Sequence, residues 1–240
     1  MPGQLKEVRN RIQSVQSTQQ ITKAMKMVSA AKLRRAQDAI LQMRPYAKKL
    51  QEMLSNIVSN SEGEVGMSLA QERPVENVLL IVLTSDRGLA GAFNTNVIKL
   101  TKTVIAEKYA AQQKAGKVTI WNVGKKGYEH FTKNGYKTDA TFKDTFLHLS
   151  FENVQKIATA AMKAFEEKQF DAVEIIYSQF KNAATQRFES ERFLPIPKVE
   201  KKEGAKKADF IFDPTQAELL AELMPKILNT QLYKAVLDSN

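Results

Sequence analysis

The sequence predicts an α/β protein led by a long N-terminal coiled-coil helix. Three observations carry the prediction. Residues Leu5 to Val58 keep one heptad register without a break. Three strand-like runs stand at Asn77–Thr84, Lys117–Val123 and Ala172–Phe180. Helical stretches alternate with those runs, the order that builds a mostly parallel sheet covered by helices.

The heptad stretch comes first. One seam position carries Leu5, Ile12, Gln19, Lys26, Leu33, Ile40, Ala47 and Leu54; the other carries Val8, Val15, Thr22, Ser29, Ala36, Met43, Leu50 and Ile57. Both ends of this seam are mostly apolar, as a helix needs in order to pack along another helix. At the waist Gln19, Thr22, Lys26 and Ser29 are polar, while Ile21, Met25 and Val28 move the apolar surface to another side. A helix held by a partner helix at its ends and by something else at its middle has this pattern. No glycine interrupts residues 5–60, and Pro45 lies away from the seam, where it bends the helix without having to end it. About 54 residues at about 1.5 Å each make a rod of roughly 80 Å. That exceeds the width of any domain this chain could build, so most of the rod is expected to leave its own globule.

Ser59–Pro74 reads as a loop. Asn77–Thr84 (NVLLIVLT) is a continuous apolar run, as in a strand buried on both faces. The turn Ser85–Asn94 leads into a helix from about Gly91 to Ala115. The second strand, Lys117–Val123, closes at Gly124, and a short helix covers Lys126–Asn134. Phe151–Lys168 is amphipathic, with Val154, Ile157, Ala158, Ala161, Met162 and Phe165 on one face. Ala172–Phe180 is the third strand. Gln186–Ile196 and Phe210–Phe212 read as two arms of a β-hairpin joined by the lysine-rich loop Lys198–Lys207. A last helix spans Thr215–Asn240, with Asp213 and Pro214 as its opening residues and a kink expected at Pro225. The expected organisation is a shaft helix over 1–58, a Rossmann-like α/β domain over 75–212 and a C-terminal shaft segment over 213–240.

Composition limits the function. The 240 residues contain no cysteine, which excludes disulfides and thiolate metal sites. No run approaches the 18 apolar residues of a membrane span, and the N-terminus lacks the apolar core of a signal peptide. The cytoplasmic side is therefore the default. The net charge is +10, and residues 1–58 hold eleven Lys/Arg against three acids. A basic rod suits an anionic partner. Its cations are spread around the helix and Tyr46 is its only aromatic residue, which favours an acidic protein surface over nucleic acid.

Four features of the sequence could carry catalytic chemistry. The strand–turn–helix at Thr84–Phe93 invites an anion, but Gly88 and Gly91 fit neither phosphate-loop spacing, and Asp86 beside Arg87 would oppose a negative ligand. The simpler reading is a tight turn in which Asp86 caps and Gly88 takes positive φ. His130 and His148, the only histidines, have no metal-ligand partner at useful spacing. Ser85 and Asp86 lack a histidine base. Trp121 reads as a core residue. No catalytic, cofactor-binding or metal-ligating residue is assigned.

Particular stretches point to a family. Thr18–Gln37 (TQQITKAMKMVSAAKLRRAQ) resembles the N-terminal helix signature of the ATP synthase gamma subunit, and Arg44–Tyr46 (RPY) fits the same helix. Thr84–Asn96 (TSDRGLAGAFNTN) resembles the family's first βα turn, and Tyr177–Asn182 (YSQFKN) and Gln231–Tyr233 (QLY) resemble two further blocks. The resemblance runs along the whole chain. It implies the central rotor shaft of the F1 sector of an ATP synthase, coupling rotation of the membrane c-ring to the catalytic sites of the alpha/beta ring. The chain would then be a non-catalytic subunit without cofactor. Its partners would be the alpha and beta subunits, epsilon and the c-ring, with no nucleic acid. It would lie peripherally on the cytoplasmic face of a bacterial membrane, held there by the complex. The resemblance places Ile21, Met25, Lys26, Lys32, Arg34 and Arg35 against the alpha/beta ring. It makes Leu5, Val8, Ile12, Val15, Leu33, Ile40, Met43, Leu50, Leu54 and Ile57 the shaft seam. Family members continue past the QLY block into a second long helix, most of which this sequence is expected to lack. Such a chain alone is expected to expose its seam and self-associate. Two rival readings are a nucleic-acid or anionic-surface protein using the basic rod, and a nucleotide-using enzyme built on the α/β domain.

Overall fold

A computed structural model describes residues 2–60, 68–182, 185–197 and 216–240, without the side chains of 2, 51–52, 54–60 and 216–221. It divides into two compact units, Met1–Gln42 and Met43–Asn240.

The first unit is helix. α1 spans Pro2–Asn60 and passes Pro45 without ending, so its residues up to Gln42 form the first unit and the rest belong to the second. Every residue from Gly3 to Arg35 is exposed. At the polar waist, Thr18 Oγ1 donates to Ser14 O at 2.9 Å and Thr22 Oγ1 to Thr18 O at 2.8 Å. These hydroxyls are satisfied by the helix's own carbonyls, which lets a seam position be polar without a partner.

The second unit is built on β1 (Val78–Leu83), β2 (Val118–Val123), β3 (Thr138–Asp139), β4 (Ala172–Asn182) and β5 (Thr185–Leu194). Their spatial order is β3-β2-β1-β4-β5. β1 pairs in parallel with β2 and β4, β2 pairs in parallel with β3, and β5 returns antiparallel to β4. The connections carry α2 (Phe93–Lys108), α3 (Ala110–Lys114), α4 (Lys125–Lys133) and α5 (Phe151–Glu166), and α6 (Gln216–Ser239) closes the chain.

Strand alternation sends β1 to two cores. Val78, Leu80 and Val82 pack with Val97, Val104 and Ile105 of α2 and Phe131 of α4. Leu79, Ile81 and Leu83 pack with Val154, Ile157, Ala161 and Phe165 of α5 and with Leu228, Leu232 and Val236 of α6. Leu50 of α1 joins this second core. The central strand is fully buried, as its unbroken apolar run requires.

Several sequence expectations change. The single helix over Gly91–Ala115 is two, because Tyr109 leaves helical geometry (φ −129°, ψ 27°). Its ring is buried and its hydroxyl donates to Glu174 Oε1 at 2.6 Å. The expected hairpin arm 186–196 forms β5 and pairs with β4 over Thr185–Leu194; its expected second arm, 210–212, lies outside the described residues, as do the loop 198–207 and the opening residues Asp213 and Pro214. β3 is a two-residue edge strand, too short for any periodicity to announce. α6 runs through Pro225 as one helix. Trp121 is half-buried on the second core, its ring 5.2 Å from Phe142 and 6.2 Å from Phe170.

Candidate functional site

The βα turn after β1 is the place where an open α/β sheet would bind a ligand. Here the protein fills it with its own groups. The N-terminus of α4 offers three backbone N–H donors. Lys125 N donates to Asp86 Oδ1 at 3.3 Å, Lys126 N to Ser85 O at 3.1 Å and Gly127 N to Thr84 Oγ1 at 2.9 Å. Ser85 N donates to Asn94 Oδ1 at 2.9 Å, and Asn94 Nδ2 returns a bond to Ser85 Oγ at 2.8 Å. Donors that would cradle a phosphate are thus already taken.

The spacing at Gly124 and Gly127 completes the closure. Gly124 has φ 112°, and a Cβ there would stand 1.9 Å from Thr84 O; one on Gly127 would stand 2.8 Å from Thr84 Oγ1. Gly124 is required by the close approach of the Thr84 carbonyl, and Gly127 by the Thr84 and Asn122 side chains. The expected roles in this turn move accordingly. Asp86 caps α4, across the sheet, instead of the helix that follows it. Positive φ falls on Leu89 (63°) and Gly91 (55°), not on Gly88. Leu89 is left fully exposed at the tip.

Among the described residues no cluster of His, Asp and Glu is placed to hold a metal ion, and no helix is long and apolar enough to cross a membrane. His148 is exposed. His130 is half-buried, and burial together with Lys102 holds its pKa below the usual imidazole value. A cleft of about 260 Å³ is lined by Leu50, Phe193, Ile196, Ile227 and Leu228, with Arg44 and Lys234 among its polar neighbours. It falls short of the roughly 300–1,000 Å³ usual for ligand pockets.

The surface that remains is α1. Ile21 (60% exposed) and Met25 (59%) stand in solvent, as do Lys26, Lys32, Arg34 and Arg35. None of the four cations has an ion-pair partner among the described residues. Exposed apolar side chains beside unpaired cations make a face suited to a protein surface that is itself acidic and partly apolar.

The seam residues divide. Leu5, Val8, Ile12, Val15 and Leu33 are exposed; Ile40 and Leu50 are buried and Met43 is half-buried. The side chains of Leu54 and Ile57 lie outside the described residues. Leu50 corrects the expectation of an unpacked seam at that position, because it belongs to the sheet core.

Sequence reasoning missed the charged contacts inside the second unit. Arg44 Nη2 donates to Phe180 O at 2.6 Å and to Asp238 Oδ1 at 3.0 Å. Glu174, 1% exposed on β4, accepts from Tyr109 Oη, Lys108 Nζ and Ser190 Oγ. Burial would raise its pKa, but those donors, Ser190 and Tyr109 foremost, hold it below the usual carboxylate value. The one available signal was an acid inside an apolar run, as in Val173-Glu174-Ile175 and Leu237-Asp238.

Comparison with known proteins agrees with this geometry. The model of a family described as ATP synthase matches residues 4–240. An ATP synthase gamma chain from Cytophaga hutchinsonii is 48% identical over 243 residues, covering 100% of this chain and 82% of the relative. One from Flavobacterium johnsoniae is 49% identical over 235 residues, covering 98% and 80%. Among solved structures, a chain of the Tetrahymena thermophila mitochondrial ATP synthase central stalk and c-ring superposes with a TM-score of 0.60 at 20% identity, covering 91% of this chain and 92% of that one, which shows a shared fold. A long bare helix, a sheet whose ligand turn is sealed, and near-half identity along the full length converge, and the chain belongs to the ATP synthase gamma-chain family.

Proposed function

We propose that this chain is the central rotor shaft of an F-type ATP synthase. It couples rotation of the membrane c-ring to conformational change at the catalytic sites of the alpha/beta ring, during ATP synthesis driven by a proton gradient. The observation that carries the reading is α1: one helix over Pro2–Asn60, wholly exposed from Gly3 to Arg35, on a member of the gamma-chain family. A shaft with different side chains on its different sides contacts three equivalent sites unequally. Turning it changes which site is favoured, and the energy transferred is the difference between contacts. No bond need be made or broken on this chain.

In this reading residues 1–58 are the shaft helix and 75–212 the α/β domain. Residues 213–240 begin the second shaft strand, and within them Met224, Leu228, Leu232 and Val236 also pack in the sheet core. Acidic segments of the beta subunits face Met25, Lys26, Lys32, Arg34 and Arg35, and Ile21 lies against the same ring. Epsilon and the c-ring meet the α/β domain. The chain is peripheral to the membrane and held there by the complex, on the cytoplasmic face of a bacterial membrane.

The decisive experiment mixes the chain with purified alpha and beta subunits and weighs the product. A complex of one chain with a ring of alternating subunits is expected, and separate elution of the chain would sink the reading. In the complete enzyme, the double substitution Lys26→Glu and Arg34→Glu is expected to lower ATP-driven proton uptake per ATP hydrolysed by about threefold or more, the scale of 0.5–2 kcal/mol in a coupling energy. Unaltered uptake per ATP would remove these residues from the interface.

A further inference from the structure

Within the second unit α1 is held in two different ways. Leu50 lies in the apolar core, a contact without direction, in which a helix can turn. Arg44 makes a directional one. A single guanidinium nitrogen donates to Phe180 O of β4 and to Asp238 Oδ1 of α6, residues 136 and 194 positions away. Planar guanidinium geometry fixes the angle of such a bridge as well as its length.

Its contribution to folding stability is poor. The Asp238 side chain is 0% exposed, and its Oδ2 has no hydrogen-bond partner among the described residues. Burial holds the Asp238 pKa above the ordinary carboxylate value in spite of Arg44. Removing the carboxylate from water therefore costs more than the ion pair returns. An apolar pair would hold the helix as firmly against being pulled away. It would not hold it against being turned.

We propose that Arg44, bridging Phe180 and Asp238, is a positioning residue that locks α1 against rotation about its own axis, so that torque on the α/β unit enters the shaft helix; this rests on the rotor-shaft reading above. Phe180 lies in the YSQFKN block and Arg44 opens RPY, so the bridge joins two stretches that sequence reading singles out without a role.

The test uses the complete ATP synthase carrying Arg44→Met and Asp238→Asn together, which removes both charges while keeping an unbranched apolar side chain at 44 and the side-chain shape at 238. The urea midpoint of the variant chain is expected to stay within experimental error of the unaltered chain, and ATP hydrolysis by the complex to be retained. Proton uptake per ATP is expected to fall between about twofold and thirtyfold, as for other residues that carry coupling. The angular spread of a probe fixed to the stalled shaft is expected to widen. Unchanged uptake per ATP with an unchanged angular spread would overturn the proposal. Should the double variant fail to fold, Asp238→Leu alone decides, since it removes the acceptor on α6: a wider angular spread in the folded variant supports the lock, and an unchanged spread overturns it. Complexes of the unaltered chain that hydrolyse ATP without turning the probe would instead overturn the rotor reading.

Discussion

Asp171 shows how one side chain can hold several segments at once. Its Oδ1 accepts from Arg73 Nε at 2.6 Å, and its Oδ2 accepts from the backbone N–H of Glu76 at 3.1 Å and of Asn77 at 2.9 Å, just before β1. Arg73 in turn donates to Phe165 O and lies 4.3 Å over the Phe165 ring. Burial alone would raise the Asp171 pKa, but the N–H groups of Asn77 and Glu76 and then Arg73 outweigh it and leave the pKa lowered. A carboxyl whose folded pKa lies below its unfolded value of about 3.9 stabilises the fold above that pH, and the contribution is lost as pH falls through the folded value. Asp171→Ala is therefore expected to cost about 3 kcal/mol at pH 7, because Arg73 and two N–H donors lose their acceptor. The difference from the unaltered chain should shrink steadily below about pH 4 in urea titrations at a series of pH values. A difference independent of pH would show that Asp171 acts by shape and not by charge. None of this was legible in the sequence. Arg73 and Asp171 are 98 positions apart, and nothing in either local pattern announces the pairing.

At the scale of the element, local pattern and tertiary demand agree for β1, β2, β4 and α5, and there the sequence reading places each element within a residue or two of its observed bounds. α5 is the clearest case: its apolar face is the face buried on the sheet, and Ser150 caps it through Asn153 N. Disagreement appears where a distant partner decides. Tyr109 breaks a helix whose periodicity continues, because Glu174 of β4 holds its hydroxyl. The βα turn is misread in a similar way. Its glycines and aspartate suggest a self-contained turn, but Asp86 and Thr84 serve α4, which starts beyond the next strand. The turn and α4 should accordingly behave as one structural piece. Thr84→Val keeps the shape of a fully buried side chain and removes the hydroxyl that accepts from Gly127 N–H. It is expected to cost about 1–3 kcal/mol, the penalty for an unsatisfied buried donor. Faster hydrogen exchange at Lys125–Gly127 should accompany the loss, read by exchange mass spectrometry; normal protection there would mean that another group caps α4.

At the scale of the whole molecule, two opposed features share one helix. The heptad register of α1 leaves Leu5, Val8, Ile12 and Val15 between 52% and 61% exposed, a row of apolar side chains that water disfavours. The same 58 N-terminal residues carry most of the +10 net charge, which repels a second copy and attracts an acidic partner. Salt separates the two effects. Screening weakens repulsion between like rods and weakens attraction to an acidic ring, while leaving apolar contact intact. The isolated chain is therefore expected to self-associate more strongly as salt rises from 0.05 to about 0.5 M, a range in which the Debye length falls below about 10 Å. Its binding to alpha and beta subunits should weaken over the same range. Replacing Leu5, Val8, Ile12 and Val15 by Gln should weaken self-association at least about tenfold, since each half-exposed side chain contributes on the order of 1 kcal/mol when covered. It should leave the salt response of ring binding in the same direction, because the cations from Lys26 to Arg35 remain. Sedimentation equilibrium on the chain alone and titration with the purified subunits measure the two trends. Self-association that falls with salt would place the copies in contact through their charged residues, and would take the heptad seam out of the account of how α1 meets its neighbours.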